Sequence, residues 1–218
     1  MTSRSALVAG ATGLVGGHVV ERLSESADVG RVVVLVRKRT GKWPSAKVEE
    51  KVIDYDALDP AVFAGVHEVY ACLGTTIKKA GSQDAFRKVD HDYTLAVANA
   101  AKAAGVERFA VVSSVGASAR SSNFYLRVKG ETDEAVEKIS FASLVIARPS
   151  VLVGNREENR PGEKVGIAMS KAFSFALVGG LKKYRPIEAR RVAHAMVRVM
   201  TESGHRVLQH EDLVALSS

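Results

Sequence analysis

The 218-residue sequence predicts an α/β protein built on a doubly wound parallel sheet, with a small C-terminal appendage. Three observations carry this. Short Val-rich apolar runs alternate with longer amphipathic stretches. The runs are continuous rather than alternating in polarity, the pattern of strands buried on both faces. A turn with glycines three residues apart joins the first run to the first amphipathic stretch.

The elements follow in order. Strands are predicted at "SALVAG" (5–10), "RVVVLV" (31–36), "KVID" (51–54), "EVYACL" (68–73), "RFAVVSS" (108–114) and "FASLVIA" (141–147). Helices are predicted at "TGLVGGHVVERLSES" after the first strand, at "SQDAFRKVDHDYTLAVANAAKAAG" before the fifth, with Gly105 as its C-cap, and at "NFYLRVKGETDEAVEKI" before the sixth. Strand–helix–strand repetition implies right-handed crossovers. Beyond residue 148 the rhythm turns irregular: a polar loop at 154–164, an apolar amphipathic helix at 165–180 and a closing helix at 186–203. The length suits one domain spanning 1–218, with 150–185 contributing the substrate side.

Composition narrows the function. The apolar fraction is 46% and the charged fraction 25%, ordinary for a globular chain. The single cysteine, Cys72, forms no internal disulfide. The first residues run into an apolar stretch too short for a signal h-region, and no run reaches the length needed to span a bilayer. These features lead to the expectation of a cytoplasmic protein without a membrane partner. The net charge of +7 is spread over separate clusters, aromatics are 6%, and no nucleic-acid motif accompanies the charge, so no nucleic-acid partner is expected. The six histidines (His18, His67, His91, His194, His205 and His210) show no pair at metal-ligand spacing on one helix, and no metal is expected. "SSVGAS" is not the G-x-S-x-G elbow of an esterase.

The chemistry begins at "ALVAGATGLVGGHVV". Gly10, Gly13 and Gly16 are spaced G-x-x-G-x-x-G between a strand and a helix. Gly10 suits the tight turn, Gly13 the approach of backbone to a pyrophosphate, and Gly16 close packing of helix on strand. Thr12, Leu14 and Val15 complete the turn, whose N–H groups face the phosphates. In NAD-binding versions an acid about 20 residues on holds the ribose 2′-hydroxyl. Here Arg37 lies 21 residues after Gly16, followed by Lys38 and Arg39. A cation there suits a 2′-phosphate, so NADP is preferred over NAD, and NADPH over NADH. Ligands of such sheets bind at the carboxyl ends of the strands. That adds Asp54, as acceptor from the adenine amino group, with Tyr55 beside it, and Cys72, Leu73, Gly74 and Thr75 after the fourth strand. Cys72 reads as a small buried apolar residue rather than a reactive thiol.

In "NFYLRVKGETDEAV", Tyr125 and Lys129 are one helical turn apart and leave the same face. A phenol near its ordinary pKa is a poor acid or base at neutral pH, and a cation one turn away stabilises its phenolate.

Together "GATGLVG", "VVSSVGA", "YLRVK" and "ARPSVLVG" resemble the short-chain dehydrogenase/reductase superfamily, in its atypical or extended branch, whose fold is the Rossmann fold. "ACLGTT", "KAG", "VDHDY", "SSNFYLRVKGETDEAV" and "RPSVLVGNREENRPGE" are similar to the Tat-interacting-protein oxidoreductases and their bacterial relatives. The resemblance implies a Ser–Tyr–Lys set of Ser114, Tyr125 and Lys129, with Lys129 also holding the nicotinamide ribose. Ser114 would hold a substrate carbonyl oxygen during hydride transfer, and Ser113, its neighbour, exchanges roles with it at this stage. Pro149 would lie beside the nicotinamide, with the backbone of Ser150 and Val151 at its carboxamide. Extended members often carry an asparagine in the helix before the fifth strand. This chain has Asp90 there, a departure that bears on a water-mediated proton relay through that position.

The implied activity is NADP-dependent oxidation or reduction of a small alcohol or carbonyl substrate. Substrate contacts are expected from 116–124, 150–184 and the loop after the fourth strand. The alternative is a non-catalytic NADP(H)-binding redox sensor acting through a protein partner. Such relatives often lose the tyrosine or lysine, and this chain keeps both. A homodimer through the helices at 82–104 and 123–138 is the expected assembly.

Overall fold

A computed structural model describes residues 3–154 and 179–217 of the chain. Seven parallel strands form one sheet in the order β3-β2-β1-β4-β5-β6-β9. The strands are β1 (Arg4–Ala9), β2 (Val29–Val36), β3 (Val48–Val52), β4 (Glu68–Ala71), β5 (Arg108–Val112), β6 (Ser143–Ala147) and β9 (Gly204–Leu208). The strand order reverses between β1 and β4, which opens a crevice above their carboxyl ends. Two residues each of β7 (Leu152–Val153) and β8 (Ile187–Glu188) pair as a separate small sheet.

The Val-rich runs become the inner strands because both faces are covered. On one face, α1 (Leu14–Glu25) and α6 (Ala189–Val199) bury Val15, Val19, Val20, Leu23, Val192 and Met196 with β1 and β2. On the other, α4 (Tyr93–Ala103) and α5 (Phe124–Glu137) lie over a cluster holding Val97, Val136, Phe109 and Ile146. Each large side chain so buried contributes about 1.5–3 kcal/mol.

Three expectations shift. The third strand lies at 48–52 rather than 51–54, because its sequence VEEKV belongs to a half-exposed edge that continuous hydrophobicity does not mark. The stretch at 82–105 predicted as one helix is α3 (Gln83–Arg87) running through a π turn at Lys88–Asp92 into α4, and a short α2 (Ile77–Ala80) precedes it. Thr76 and Ser82 cap α2 and α3 and set these starts. Gly105 does close α4, with a φ of 82°, and Val106 N–H reaches Ala101 O at 3.0 Å. Finally β9 and α7 (His210–Leu216) extend the sheet beyond the closing helix. The strand GHRVL carries too few apolar residues to announce itself, and its pairing with β6 makes it a strand. The predicted loop at 154–164 and helix at 165–180 fall almost wholly outside the described residues.

Candidate active site

The turn after β1 is shaped by backbone crowding. Gly10 has a φ of 79°, and a Cβ there would sit 2.4 Å from Cys72 O at the end of β4. A Cβ on Gly16 would lie 2.3 Å from Gly10 O. No side chain larger than hydrogen fits either place. Gly13 caps α1 without a side-chain acceptor, and a Cβ on it would meet only Gly10 O, at 3.2 Å. Thr12 and Gly13 are exposed, Leu14 is half-buried, and Val15 packs into the core. The first-turn N–H groups of α1 are thus presented at the switch point, an arrangement that takes a phosphate.

Around this turn, Arg37 and Lys38 are exposed directly after β2. Tyr55 is buried, and burial pushes this phenol up to about 12, opposed by the Gly10 backbone and by the charge of Arg37. The Tyr55 ring stacks on Tyr93 at 5.1 Å. Asp54 is exposed and accepts from Asp56 N–H at 2.9 Å. Cys72 packs against the apolar core, and burial pushes its thiol up to about 12, so it is a packing residue.

Above β5 and β6 the site is made of charge. Asn123 caps α5 by accepting from Leu126 N–H, which starts the helix just ahead of Tyr125. Tyr125 is half-buried, with its ring 5.6 Å from that of Phe86. One turn on, Lys129 is 5% exposed, and its ammonium lies 2.8 Å from Asp90 Oδ1 and 3.3 Å from Val112 O. Burial disfavours the ammonium, yet the charges of Asp90, Tyr125 and Asp133 hold the pKa of Lys129 above the usual lysine value. One turn further, Asp133 accepts from Ser113 Oγ and from Arg148 Nε, both at 2.9 Å. Burial raises the Asp133 carboxyl above the ordinary range, and Ser113 and Arg148 oppose that shift.

These contacts separate the two serines. Ser113 is 4% exposed and its hydroxyl is committed to Asp133, so its side chain faces into the protein, contrary to a place among cofactor-facing groups. Ser114 is half-buried, and its hydroxyl makes no closer contact among the described residues than 3.4 Å to Val115 O, which leaves it as the serine available at the crevice. The loop carrying it lies directly on α5, where Ser118 N–H donates to Leu126 O at 3.1 Å. Gly130 makes room for that crossing, since a Cβ there would be 2.1 Å from the Ser118 carbonyl carbon.

The end of β6 completes the rim. Pro149 is buried and its carbonyl accepts from Val115 N–H at 2.9 Å, which joins the loops after β5 and β6. Ser150 Oγ donates to Arg185 O, and Val151 is exposed, with its carbonyl taken by Ile187 N–H at 3.0 Å. Leu73 is half-buried, Gly74 is exposed, and Thr75 N–H donates to Asp90 Oδ2 at 2.9 Å.

Sequence reasoning missed three of these residues. Asp133 and Arg148 form a buried pair, and the signal available was the 125–129–133 spacing on one helical face. Gly130 carried the signal of a helix-interior glycine, which costs about 1 kcal/mol unless something must pass close.

Residues 10–203 match the family described as NAD(P)H-binding. Among curated relatives, the chain is 39% identical to protein HTATIP2 of Rattus norvegicus over 75% of this chain and 69% of that protein. It is 36% identical to protein FMP52-1, mitochondrial, of Scheffersomyces stipitis, over 72% of this chain and 70% of that one. Among solved structures, MoeE5 in complex with UDP-glucuronic acid and NAD superposes with a TM-score of 0.71 at 18% identity, over 98% of this chain and 81% of that one, a likeness of fold. The relatives overturn the cytoplasmic expectation. FMP52 proteins of Scheffersomyces stipitis, Aspergillus clavatus and Eremothecium gossypii are all named as mitochondrial. Among the described residues no helix is long and apolar enough to cross a membrane.

Proposed function

The chain belongs to the NAD(P)H-binding family, in the atypical branch of the short-chain dehydrogenases/reductases, and on that footing we propose that it is an NADP(H)-dependent oxidoreductase acting on a small carbonyl or alcohol substrate. The observation that carries the reading is Lys129: a buried, ion-paired ammonium one turn from the half-buried Tyr125, beside the strand end that presents Ser114. Sequestering a lysine in this way is costly unless its charge has a task.

The residues fit the cofactor. Gly10 and Gly16 let the turn close against Cys72 and against itself with no side chain between, Gly13 leaves the start of α1 bare and exposed, and Arg37 is an exposed cation directly after β2 that suits a 2′-phosphate. Bound NADP(H) supplies the hydride. Arg37 and Lys38 hold the 2′-phosphate, and the first turn of α1 takes the pyrophosphate. Lys129 holds the ribose hydroxyls and stabilises negative charge on the Tyr125 oxygen. Ser114 donates a hydrogen bond to the substrate oxygen, which keeps the carbonyl in line. Tyr125 delivers its proton to that oxygen in reduction and takes it back in oxidation. The buried Pro149 and the loop it anchors close the far side of the ring site.

The test is substrate-dependent consumption of NADPH across a panel of aldehydes and ketones. Lys129→Ala is expected to weaken both NADPH affinity and turnover, because the ammonium serves both. Ser114→Ala is expected to cost about 1.5–3 kcal/mol in kcat/KM, one hydrogen bond to a charged group. Full activity in Lys129→Ala would contradict the assignment.

A further inference from the structure

We propose that Asp90 is a positioning residue of this site, joining the cofactor-side loop after β4 to Lys129 as one unit. The inference rests on the reading above and extends it to a residue outside the Ser–Tyr–Lys set.

The geometry is specific. Asp90 is 2% exposed and lies in the π turn, where Tyr93 N–H reaches back to Lys88 O. A π turn inserts an extra residue into the helix and is frequent at functional sites. It also displaces a carbonyl from the helical ladder. The carbonyl of Asp90 accepts from Thr94 Oγ1 of α4 at 3.1 Å, and Thr132 Oγ1 of α5, whose shorter bond is to Val128 O at 2.8 Å, lies 3.4 Å from it. The carboxylate is shared in the same manner. Oδ2 accepts from Thr75 N–H at 2.9 Å, and Oδ1 meets Lys129 Nζ at 2.8 Å. One buried residue therefore ties α4, α5 and the loop after β4 together. A neutral residue would reproduce the bond to Thr75 but not the charge.

The charge matters because of what surrounds Lys129. Asp90 faces it from the π turn, and Tyr125 and Asp133 face it from α5. Asp133 is itself paired with Arg148 from the end of β6. Asp90 is thus the one carboxylate among the described residues in direct contact with the ammonium. Without it, the burial of Lys129 is opposed only by the more distant Tyr125 and Asp133, and a buried lysine so weakly compensated loses its proton below the ordinary value.

The experiment compares wild type, Asp90→Asn and Asp90→Glu by calorimetry with NADPH at pH 6.5 and pH 9, and by thermal unfolding without cofactor from pH 7 to 10. The affinity ratio of wild type to Asp90→Asn is expected to be within about threefold at pH 6.5 and to exceed about tenfold at pH 9, as Lys129 gives up its proton. Asp90→Glu, which keeps the charge, is expected to show a ratio independent of pH. Unfolding runs the opposite way. In Asp90→Asn the folded-state pKa of Lys129 falls below the unfolded value, so the cost is full at pH 7 and shrinks as pH rises toward 10. A purely structural role predicts deficits that do not change with pH in either measurement, and that result overturns the proposal. If Lys129→Ala leaves NADPH affinity unchanged, the cofactor reading fails, and the unfolding trend alone decides whether Asp90 holds Lys129. If Asp90→Asn does not fold, the double variant Asp90→Asn/Lys129→Gln decides. Recovery of folded protein supports the pairing, and continued failure overturns it.

Discussion

Between β1 and β4 the site is shaped by backbone: Gly10 and Gly16 allow close approach of Cys72 and of the turn to itself, and Gly13 begins α1 without a side chain. Between β5 and β6 it is lined by charge: Asp90 on Lys129, and Arg148 on Asp133, each pair with a carboxylate almost fully buried. On the proposed function, the first region would hold the anionic part of the cofactor, and the second would serve proton transfer at Tyr125. Binding and reaction would then depend on different physics, steric clearance in one half and charge compensation in the other. Substitutions in the two halves should fail in different ways.

The largest effect is expected where backbone crowding and a positive φ coincide. Gly10→Ala places a methyl group against the Cys72 carbonyl at a positive φ, and is expected to cost about 3 kcal/mol or more and to abolish NADPH binding. Chemical unfolding and calorimetry would measure this, and the loss should be the same from pH 5 to 9, since no titrating group is involved. In the charged half, Arg148→Ala leaves the buried Asp133 without its ion-pair partner, with the Ser113 hydroxyl still donating to it. The expected loss is about 3 kcal/mol at pH 7. Burial already raises the Asp133 carboxyl above its unfolded value, and removing Arg148 raises it further. The loss is therefore fully present at neutral pH and shrinks as pH falls through the raised folded-state value. A deficit in Arg148→Ala independent of pH would erase the distinction between the halves. The smallest effect is selectivity at the rim. Wild type is expected to bind NADPH at least about tenfold more tightly than NADH, about 1.4 kcal/mol, and Arg37→Asp to reduce or reverse that preference. Equal affinities for the two cofactors in wild type would remove Arg37 from the site.

The same contrast explains what could be read in advance. The glycine turn and the buried strands are local or periodic, and each leaves a signature in consecutive residues. Tyr125 and Lys129 were legible because they share one helical face. The partner of Lys129 lies 39 positions earlier, in a π turn that no periodicity reveals. Arg148 meets Asp133 only because β6 and α5 are neighbours in space. The two serines differ by one residue, and only the hydrogen bond to Asp133 separates their roles. The half-exposed β3 and the polar β9 were misplaced or missed for a related reason: pairing with a neighbour, rather than composition, makes them strands.

The central claim is that Tyr125 transfers a proton during hydride transfer, and the most direct measurement compares wild type with Tyr125→Phe in NADPH oxidation across the carbonyl panel. The substitution removes one hydroxyl from a half-buried ring, so fold and NADPH affinity should be unchanged while kcat falls by about 10²–10⁴. If wild type shows no substrate-dependent NADPH oxidation above the rate of Tyr125→Phe, the catalytic account is contradicted, and the protein is a cofactor-binding sensor instead.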